Sequence, residues 1–281
     1  MYCMKLTTLR LLISLGAFGS TVLAQTFSDV DFHEADWEAY KIRFLSNQLV
    51  ETNAAGTFSV RQNPTGGRPG AFREITIDVV NYPVAVANMQ KAAVWSLAVQ
   101  GALYRVSFVF FARSVPPDVS AIGFSPILSQ DGFFYRSDSG YLPVSDQWGY
   151  ADFFQNLEAT AWDRADGQPG HPDFSTNGAP LQFGYLAIAH APAGQSVTSG
   201  LDDWLVRLTP VSEPRLSITP IPNEQVLLTW SREHIDYRLE AASSLSAPIW
   251  TIATNNVNDM GEQLSVLAGA RDGSQFFRLS K

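Results

Sequence analysis

The chain has 281 residues, 46% of them hydrophobic and only 16% charged, and its formal net charge is −8 at pH 7. This length is enough for one large domain and one small domain, each with its own core. The apolar fraction argues against disorder, and the acidic balance excludes the phosphate backbone of a nucleic acid as a favoured partner.

The first 24 residues have the pattern of a secretory signal peptide. Lys5 and Arg10 precede an apolar run over residues 11–23, and small residues lie before the expected cleavage site. The run is too short to span a bilayer comfortably. We therefore expect residues 1–24 to be removed, leaving a secreted or cell-surface chain without a membrane span. The single cysteine, Cys3, would leave with this segment, which excludes disulfides and cysteine-based sites.

Residues 25–210 contain many short apolar segments with the period of a β-strand, separated by turn residues. The segments predicted as strands are 57–61, 72–80, 104–111, 121–128, 132–136 and 181–190, and a last strand over 204–209 follows a turn at Gly200 and the acidic pair 202–203. Residues 63–70 hold two prolines and three glycines and are predicted to be a loop. One short helix is expected near residues 153–160. Because strands do not alternate with helices and no repeat is present, the pattern favours a large jelly-roll β-sandwich.

A proline-spaced segment after residue 210 begins a second module. Residues 225–230, 236–241 and 276–279 alternate as strands, and Trp250 is a candidate core anchor. We therefore expect an all-β chain with a jelly-roll domain over residues 25–210. Residues 211–281 are predicted to form a small immunoglobulin- or fibronectin-like sandwich.

Two parts of the chain resemble known families. Residues 27–37, the segment Gly-Gly-Arg-Pro-Gly-Ala-Phe at 66–72 and the segment Gly-Leu-Asp-Asp-Trp at 200–204 resemble the galactose-binding or laminin-G type jelly rolls of secreted bacterial proteins. Asp203 stands where asparagine is commoner in that pattern. Residues 216–281 are similar to fibronectin-type or immunoglobulin-like modules. The matching features there are Val-Leu-Leu-Thr-Trp at 226–230, Tyr-Arg-Leu-Glu at 237–240, Trp250 and Phe-Phe-Arg-Leu at 276–279. The resemblance implies a glycan-binding or cell-surface role.

A group of aromatic residues marks a candidate ligand site. Its members are Trp148, Tyr150, Trp162, Tyr135 and Tyr141, and several aspartates lie among them in sequence. Flat rings beside carboxylates offer a sugar both apolar stacking and hydrogen bonds. The alternative is that these rings fill the sandwich core, which is the commoner role of a single aromatic residue.

Acidic residues suggest two further sites. Asp202, Asp203 and Asp31 are candidate calcium ligands, since the first and last strands of a jelly roll often pair and Ca²⁺ takes six to eight oxygens. The alternative is that they form turns. Separately, Glu34, Asp36 and Glu38 have the Glu-x-Asp-x-Glu spacing of laminarinase-type glycoside hydrolases. They lie near the expected mature N-terminus, whereas those enzymes carry the motif on a central strand.

The sequence thus favours a secreted, non-catalytic protein that recognises a glycan or an extracellular matrix polymer, with calcium as the one candidate cofactor. A structural or adhesive cell-surface protein is the alternative. The third possibility is a glycoside hydrolase that uses the three carboxyls.

Overall fold

A computed structural model describes most of the chain after the expected signal peptide. For residues 43–45 and 48–51 it describes the backbone alone. The described ranges are 25–45, 48–51, 56–80, 84–115, 122–140, 142–152, 154–222, 225–246, 248–253, 256–269 and 275–281. The predicted signal peptide and Tyr141 lie outside them. No helix within these ranges is both long and apolar enough to cross a membrane.

The chain divides into two compact units, one that ends at Val211 and one that begins at Ser212. The strands of the first unit are β1 (Gln25–Asp29), β2 (Trp37–Leu45), β3 (Gln48–Glu51), β4 (Phe58–Gly67), β5 (Gly70–Val79), β6 (Val84–Trp95), β7 (Leu103–Val115), β8 (Ile122–Gln130), β9 (Phe133–Ser137), β10 (Leu142–Pro143), β11 (Gly149–Ala151), β12 (Trp162–Arg164), β13 (Leu181–Ala189) and β14 (Gln195–Pro210). Its helical segments are a single α-helical turn, α1 (Leu97–Gln100), and 3₁₀ turns at Glu34–Asp36 and Ala159–Ala161.

These strands form two sheets whose pairings are antiparallel throughout the described residues. Sheet A has the order β11-β7-β14-β5-β4, and β1 also pairs with β14. Sheet B has the order β12-β9-β8-β13-β6-β2-β3, and β10 pairs with β8. Alternate residues of both sheets enter one apolar core, for example Val106, Phe108 and Phe110 of β7 and Phe183 and Tyr185 of β13. The all-β sandwich class predicted from the sequence is confirmed.

Sheet B is apolar on both faces, so part of it lacks the alternation of polar and apolar residues by which a strand is predicted. Ala85, Ala87 and Met89 of β6 form a second buried cluster with Leu186 and Ile188 of β13, whereas the alternating Val86 and Ala187 enter the main core. A strand buried on both sides has no polar alternation. For this reason the period-two pattern did not identify residues 84–95 as a strand.

Two local predictions were wrong. The segment predicted as a loop over residues 63–70 continues β4 as far as Gly67, with an irregular register between Asn63 and Gly67. The helix predicted near residues 153–160 is absent from the described part of that segment, which contains only the 3₁₀ turn that begins at Ala159. Here Leu157 exchanges backbone hydrogen bonds of 2.8 and 3.0 Å with Val106 of β7, which holds the chain extended.

The second unit contains two smaller sheets around its own core. Its strands are β15 (Ser217–Ile221), β16 (Gln225–Ser231), β17 (Arg238–Ala242), β18 (Thr251–Ile252), β19 (Asn258–Asp259), β20 (Gln263–Gly269) and β21 (Phe276–Ser280), with a 3₁₀ turn at Arg232–His234. The sheet orders are β15-β16-β20-β19 and β18-β17-β21. Trp230, not Trp250, is the tryptophan of the core. Trp250 is only partly buried, and the Arg278 guanidinium lies over its ring, with the guanidinium carbon 4.3 Å from the centroid.

Candidate functional site

The structure separates the aromatic residues that were grouped in the sequence analysis. Trp162 is fully buried and packs edge-on against Phe108 at a centroid distance of 5.7 Å. Tyr135 is also in the core, and burial raises the pKa of its hydroxyl. Rings enclosed by core side chains offer no free face to a ligand. The prediction that Trp162 and Tyr135 are ligand-stacking residues is therefore corrected, and Tyr141 lies outside the described residues.

Trp148 and Tyr150, in contrast, lie on the outer face of sheet A. Tyr150 pairs with Phe111 across β11 and β7, and the two rings lie 4.8 Å apart at 34°. Tyr150 is 49% exposed. Successive side chains of a strand point to opposite faces, and Phe108 and Phe110 of β7 alternate strictly with outward residues. The outward set of β7 includes Phe111 and Arg113.

Two arginines stack on this aromatic group. The Arg113 guanidinium carbon lies 4.7 Å from the Trp148 ring centroid and 5.0 Å from the Phe72 ring centroid. The Arg68 guanidinium carbon lies 3.7 Å from the centroid of Phe111. Stacking of this kind is attractive because the ring face is electronegative. We call this surface the arginine–aromatic face; it consists of Arg68, Phe72, Phe111, Arg113, Trp148 and Tyr150.

Gly200 makes the face possible because it provides space for two rings. It lies opposite Arg113 in the β14–β7 ladder, and the Phe72 and Trp148 rings meet beside it at 5.5 Å and 79°. A Cβ atom at this position would lie 2.7 Å from two Phe72 ring carbons and 3.2 Å from Trp148 Cη2. A residue with a side chain would therefore push these rings apart.

Asp202 joins the hairpin that carries Arg68 to β14. Its Oδ2 accepts a hydrogen bond from the Arg68 backbone N–H, and its Oδ1 accepts one from the Asp203 N–H at 2.8 Å. The side chain is almost fully buried, and burial raises the pKa of its carboxyl. Gly67 allows this close approach, since a Cβ there would lie 2.7 Å from Oδ2. Asp202 thus positions the loop and does not face solvent.

The predicted calcium ligands are not assembled into a cation site. β1 does pair with β14, as predicted, and Asp29 lies opposite Trp204. However, both Asp202 oxygens already accept backbone hydrogen bonds. Asp29 Oδ1 likewise accepts from the N–H groups of Asp31 and Phe32. Among the described residues, no group of three or more acidic, histidine or cysteine side chains is placed to hold a metal ion.

The proposed hydrolase carboxyls do not line one strand. Glu34 and Asp36 belong to a 3₁₀ turn, and only Glu38 lies in β2. Glu34 Oε1 accepts from the Gln62 backbone N–H at 3.3 Å, whereas Glu38 accepts from the Tyr40 hydroxyl at 2.5 Å. The premise that positions i, i+2 and i+4 share one strand face fails here because residues 34–36 are not extended.

Sequence reasoning missed Arg68, Phe72, Phe111 and Arg113 as members of the face. A signal was nonetheless present. The strict alternation of β7 assigns Phe111 and Arg113 to the side opposite its core residues, and an aromatic residue on the outer side of a strand indicates a contact surface. Which other strands lie next to β7 depends on the sheet order, which the local pattern does not contain.

Comparison with known proteins gives distant structural similarity. No protein-family model matches the chain, and no curated protein matches its sequence. A family 11 carbohydrate-binding module from Clostridium thermocellum, solved with a β-1,3-1,4-mixed-linked tetrasaccharide, is 11% identical at a TM-score of 0.39, over 67% of this chain and 97% of that module. A CBM22-1 xylan-binding domain from Paenibacillus barcinonensis is 14% identical at a TM-score of 0.30, over 69% of this chain and 97% of that domain.

One enzyme is also among the similar structures. A β-1,2-glucanase from Parabacteroides distasonis is 10% identical at a TM-score of 0.37, and the match covers 92% of this chain but only 36% of that enzyme. At these identities and TM-scores, none of the three similarities supports a functional conclusion about this chain. The functional argument therefore rests on the residues of the arginine–aromatic face.

Proposed function

We propose that this protein is a non-catalytic binding protein whose first unit recognises a glycan on the arginine–aromatic face. The observation that carries the proposal is the placement of Tyr150, which is 49% exposed and packs beside Phe111 on the outer side of sheet A. Solvent-exposed rings on a rigid sheet can stack on the apolar face of a sugar ring. The neighbouring guanidinium groups supply hydrogen-bond donors for hydroxyl oxygens.

The face is pre-organised, which lowers the entropic cost of binding. Trp148 contacts both Phe72 and Arg113, and Phe111 is covered on one side by Arg68. Ring stacking contributes about 0.5–1.5 kcal/mol beyond area burial. Affinities of roughly −4 to −8 kcal/mol, or millimolar to micromolar, are therefore expected for one glycan chain.

The test is a glycan array followed by titration calorimetry with the best-bound glycan. Tyr150→Ala should weaken binding at least about tenfold because it removes the most exposed ring, while its melting temperature stays within a few degrees. Phe133→Ala is the matched control: Phe133 is 43% exposed and also lies beneath an arginine, Arg164 at 3.8 Å, but it belongs to sheet B. Equal losses in the two variants, or none in Tyr150→Ala, would refute the assignment of this face.

Secretion and a domain boundary near residue 210 belong to the same proposal. The signal-like segment over residues 1–24 supports export, and mass spectrometry of protein recovered from culture medium should give an N-terminus at Gln25. The break between the compact units at Val211 and Ser212 supports the boundary. Limited proteolysis should cut there and release two folded fragments. A chain that melts as one unit and resists cleavage there would contradict the boundary.

A further inference from the structure

We propose that the glycan bound on the arginine–aromatic face is anionic, a polysaccharide that carries carboxylate or sulfate groups. This inference rests on the proposed function, because it names the ligand class of the same face. It reverses the expectation that the net charge of −8 suggests, which is a preference for neutral or basic chains.

Among the described residues, the two arginines of the face have no acidic partner. No carboxylate there lies within ion-pairing distance of the Arg68 or Arg113 guanidinium, those of Asp146 and Asp152 included. Arg73, Arg136 and Arg207 are likewise without an ion pair in the described part of the first unit, whereas three other arginines are paired. Arg61 contacts Glu74, Arg105 contacts Glu158 at 3.2 Å, and Arg164 contacts Asp166.

Aromatic rings hold both guanidinium groups in place, and no ion pair with a described residue does so. Arg113 contacts the Phe72 and Trp148 rings, and its Nε is buried without a hydrogen-bond partner within the described part of the chain. Arg68 is exposed and stacks on Phe111. Phe111 and Arg113 are two positions apart on β7, so their Cα atoms lie about 7 Å apart on the same face. A stacked guanidinium keeps its planar edge of N–H donors, which matches the geometry of a carboxylate or sulfate.

The acidic groups near the face form no ion pair with these arginines. Asp202 attracts Arg68, but it is buried and both its oxygens accept backbone hydrogen bonds, so it does not pair with the guanidinium. Glu74, the neighbour of Gly200 in the β14–β5 ladder, is paired with Arg61. Asp146, Asp152 and Asp203 lie close to the face in sequence but form no ion pair with Arg68 or Arg113, and carboxylates beyond the Debye length of about 8 Å are screened. The two guanidinium groups that a bound glycan meets are therefore not neutralised by ion pairs with the described residues, even though the whole protein is acidic.

The test compares polymers that share a backbone and differ in charge. The full chain is titrated with polygalacturonate and its methyl ester, and with dextran sulfate and dextran. We expect the charged member of at least one pair to bind about tenfold more tightly at low salt, and the difference to shrink at 0.5 M NaCl because the charges are screened. The first pair reports on carboxylate and the second on sulfate.

Variants then locate the charge. Arg68→Gln keeps the backbone N–H that Asp202 binds and should reduce the charged-to-neutral ratio severalfold, and Arg113→Gln should do the same. Arg113→Lys, which keeps the charge, should retain part of the preference. Arg207→Gln is the matched control, since Arg207 is exposed on the same sheet and is paired in the β14 ladder with Ser107, well away from the face.

The outcomes separate this inference from the proposed function. A preference for the charged polymer that Arg68→Gln and Arg113→Gln abolish supports the inference. If charged and neutral polymers bind equally and Tyr150→Ala abolishes both, the anionic preference is refuted and glycan binding on the face stands. If a charged polymer binds but Arg207→Gln weakens it as much as Arg68→Gln, binding is diffuse and the inference is overturned. If no polymer binds in any arm, both proposals fall.

Discussion

Gly200→Ala tests whether the arginine–aromatic face depends on the missing side chain at this position. The new Cβ would lie 2.7 Å from two carbons of the Phe72 ring, whereas ordinary contacts begin near 3.4 Å, so a shift of about 0.7 Å is needed. Phe72 is only 2% exposed and cannot move freely. Overpacking of this kind typically costs about 1–3 kcal/mol.

The informative result is whether Gly200→Ala stabilises or destabilises the protein. Gly200 does not have a positive φ, so alanine fits the backbone, and relief of unfolded-state entropy alone would stabilise the protein by about 0.4–1 kcal/mol. We expect destabilisation instead. At about 2–4 °C per kcal/mol for a unit of this size, the melting temperature followed by circular dichroism should fall by about 2–12 °C.

Gly149→Ala is the matched control, because it is a neighbouring β11 glycine whose added Cβ would meet only Ala112 O at an ordinary 3.6 Å. It should be neutral or slightly stabilising. In a Phe72→Leu background, Gly200→Ala should cost less, since the ring carbons that it meets are gone, and the double-mutant cycle measures that coupling. A melting temperature that is unchanged or raised in Gly200→Ala would show that the packing argument is wrong.

Two further predictions concern buried groups. Trp162→Ala should lower the unfolding free energy by about 3–5 kcal/mol, since it empties a fully buried site; a variant that melts like the wild type while losing glycan binding would return Trp162 to the ligand site. Burial raises the pKa of Asp202 above its ordinary 3.8. Its contribution to the free energy of unfolding is therefore full below pH 3.8 and is lost as the pH rises through the raised pKa. Urea titrations across that window should show that the free energy of unfolding declines less steeply with pH in Asp202→Asn than in the wild type. Equal slopes would contradict the raised pKa of Asp202.

Strand periodicity predicted the parts of the fold that are buried on one side. Val106, Phe108 and Phe110 alternate with residues that are polar or only partly buried, and all three are in the core. β6 was missed because both of its faces are apolar, so that no alternation marks it. The alternation of polar and apolar residues arises when a strand is buried on one face. It does not identify a strand that is buried on both faces.

The candidate site was only half predictable for a different reason. Trp148 and Trp162 lie in the same aspartate-containing stretch of the sequence, yet Trp162 enters the core and Trp148 lies on the outer face. Trp162 belongs to β12, which pairs with β9 in sheet B, whereas Trp148 directly precedes β11, which pairs with β7 in sheet A. Gly200 and Arg113 are distant in sequence and become neighbours only through the β14–β7 pairing. Composition identifies aromatic residues, whereas the sheet order decides which of them a ligand can reach.

The central place of β14 in sheet A has a consequence for how the first unit folds. β14 is the last strand of that unit, and it joins β7 to β5 and also pairs with β1. Without it, β11-β7 and β5-β4 are separate pairs with no hydrogen bonds between them. A nascent chain that ends before residue 195 therefore cannot close the sheet. Because its pairings are so long-range, the unit should fold slowly, and only after synthesis has passed residue 210.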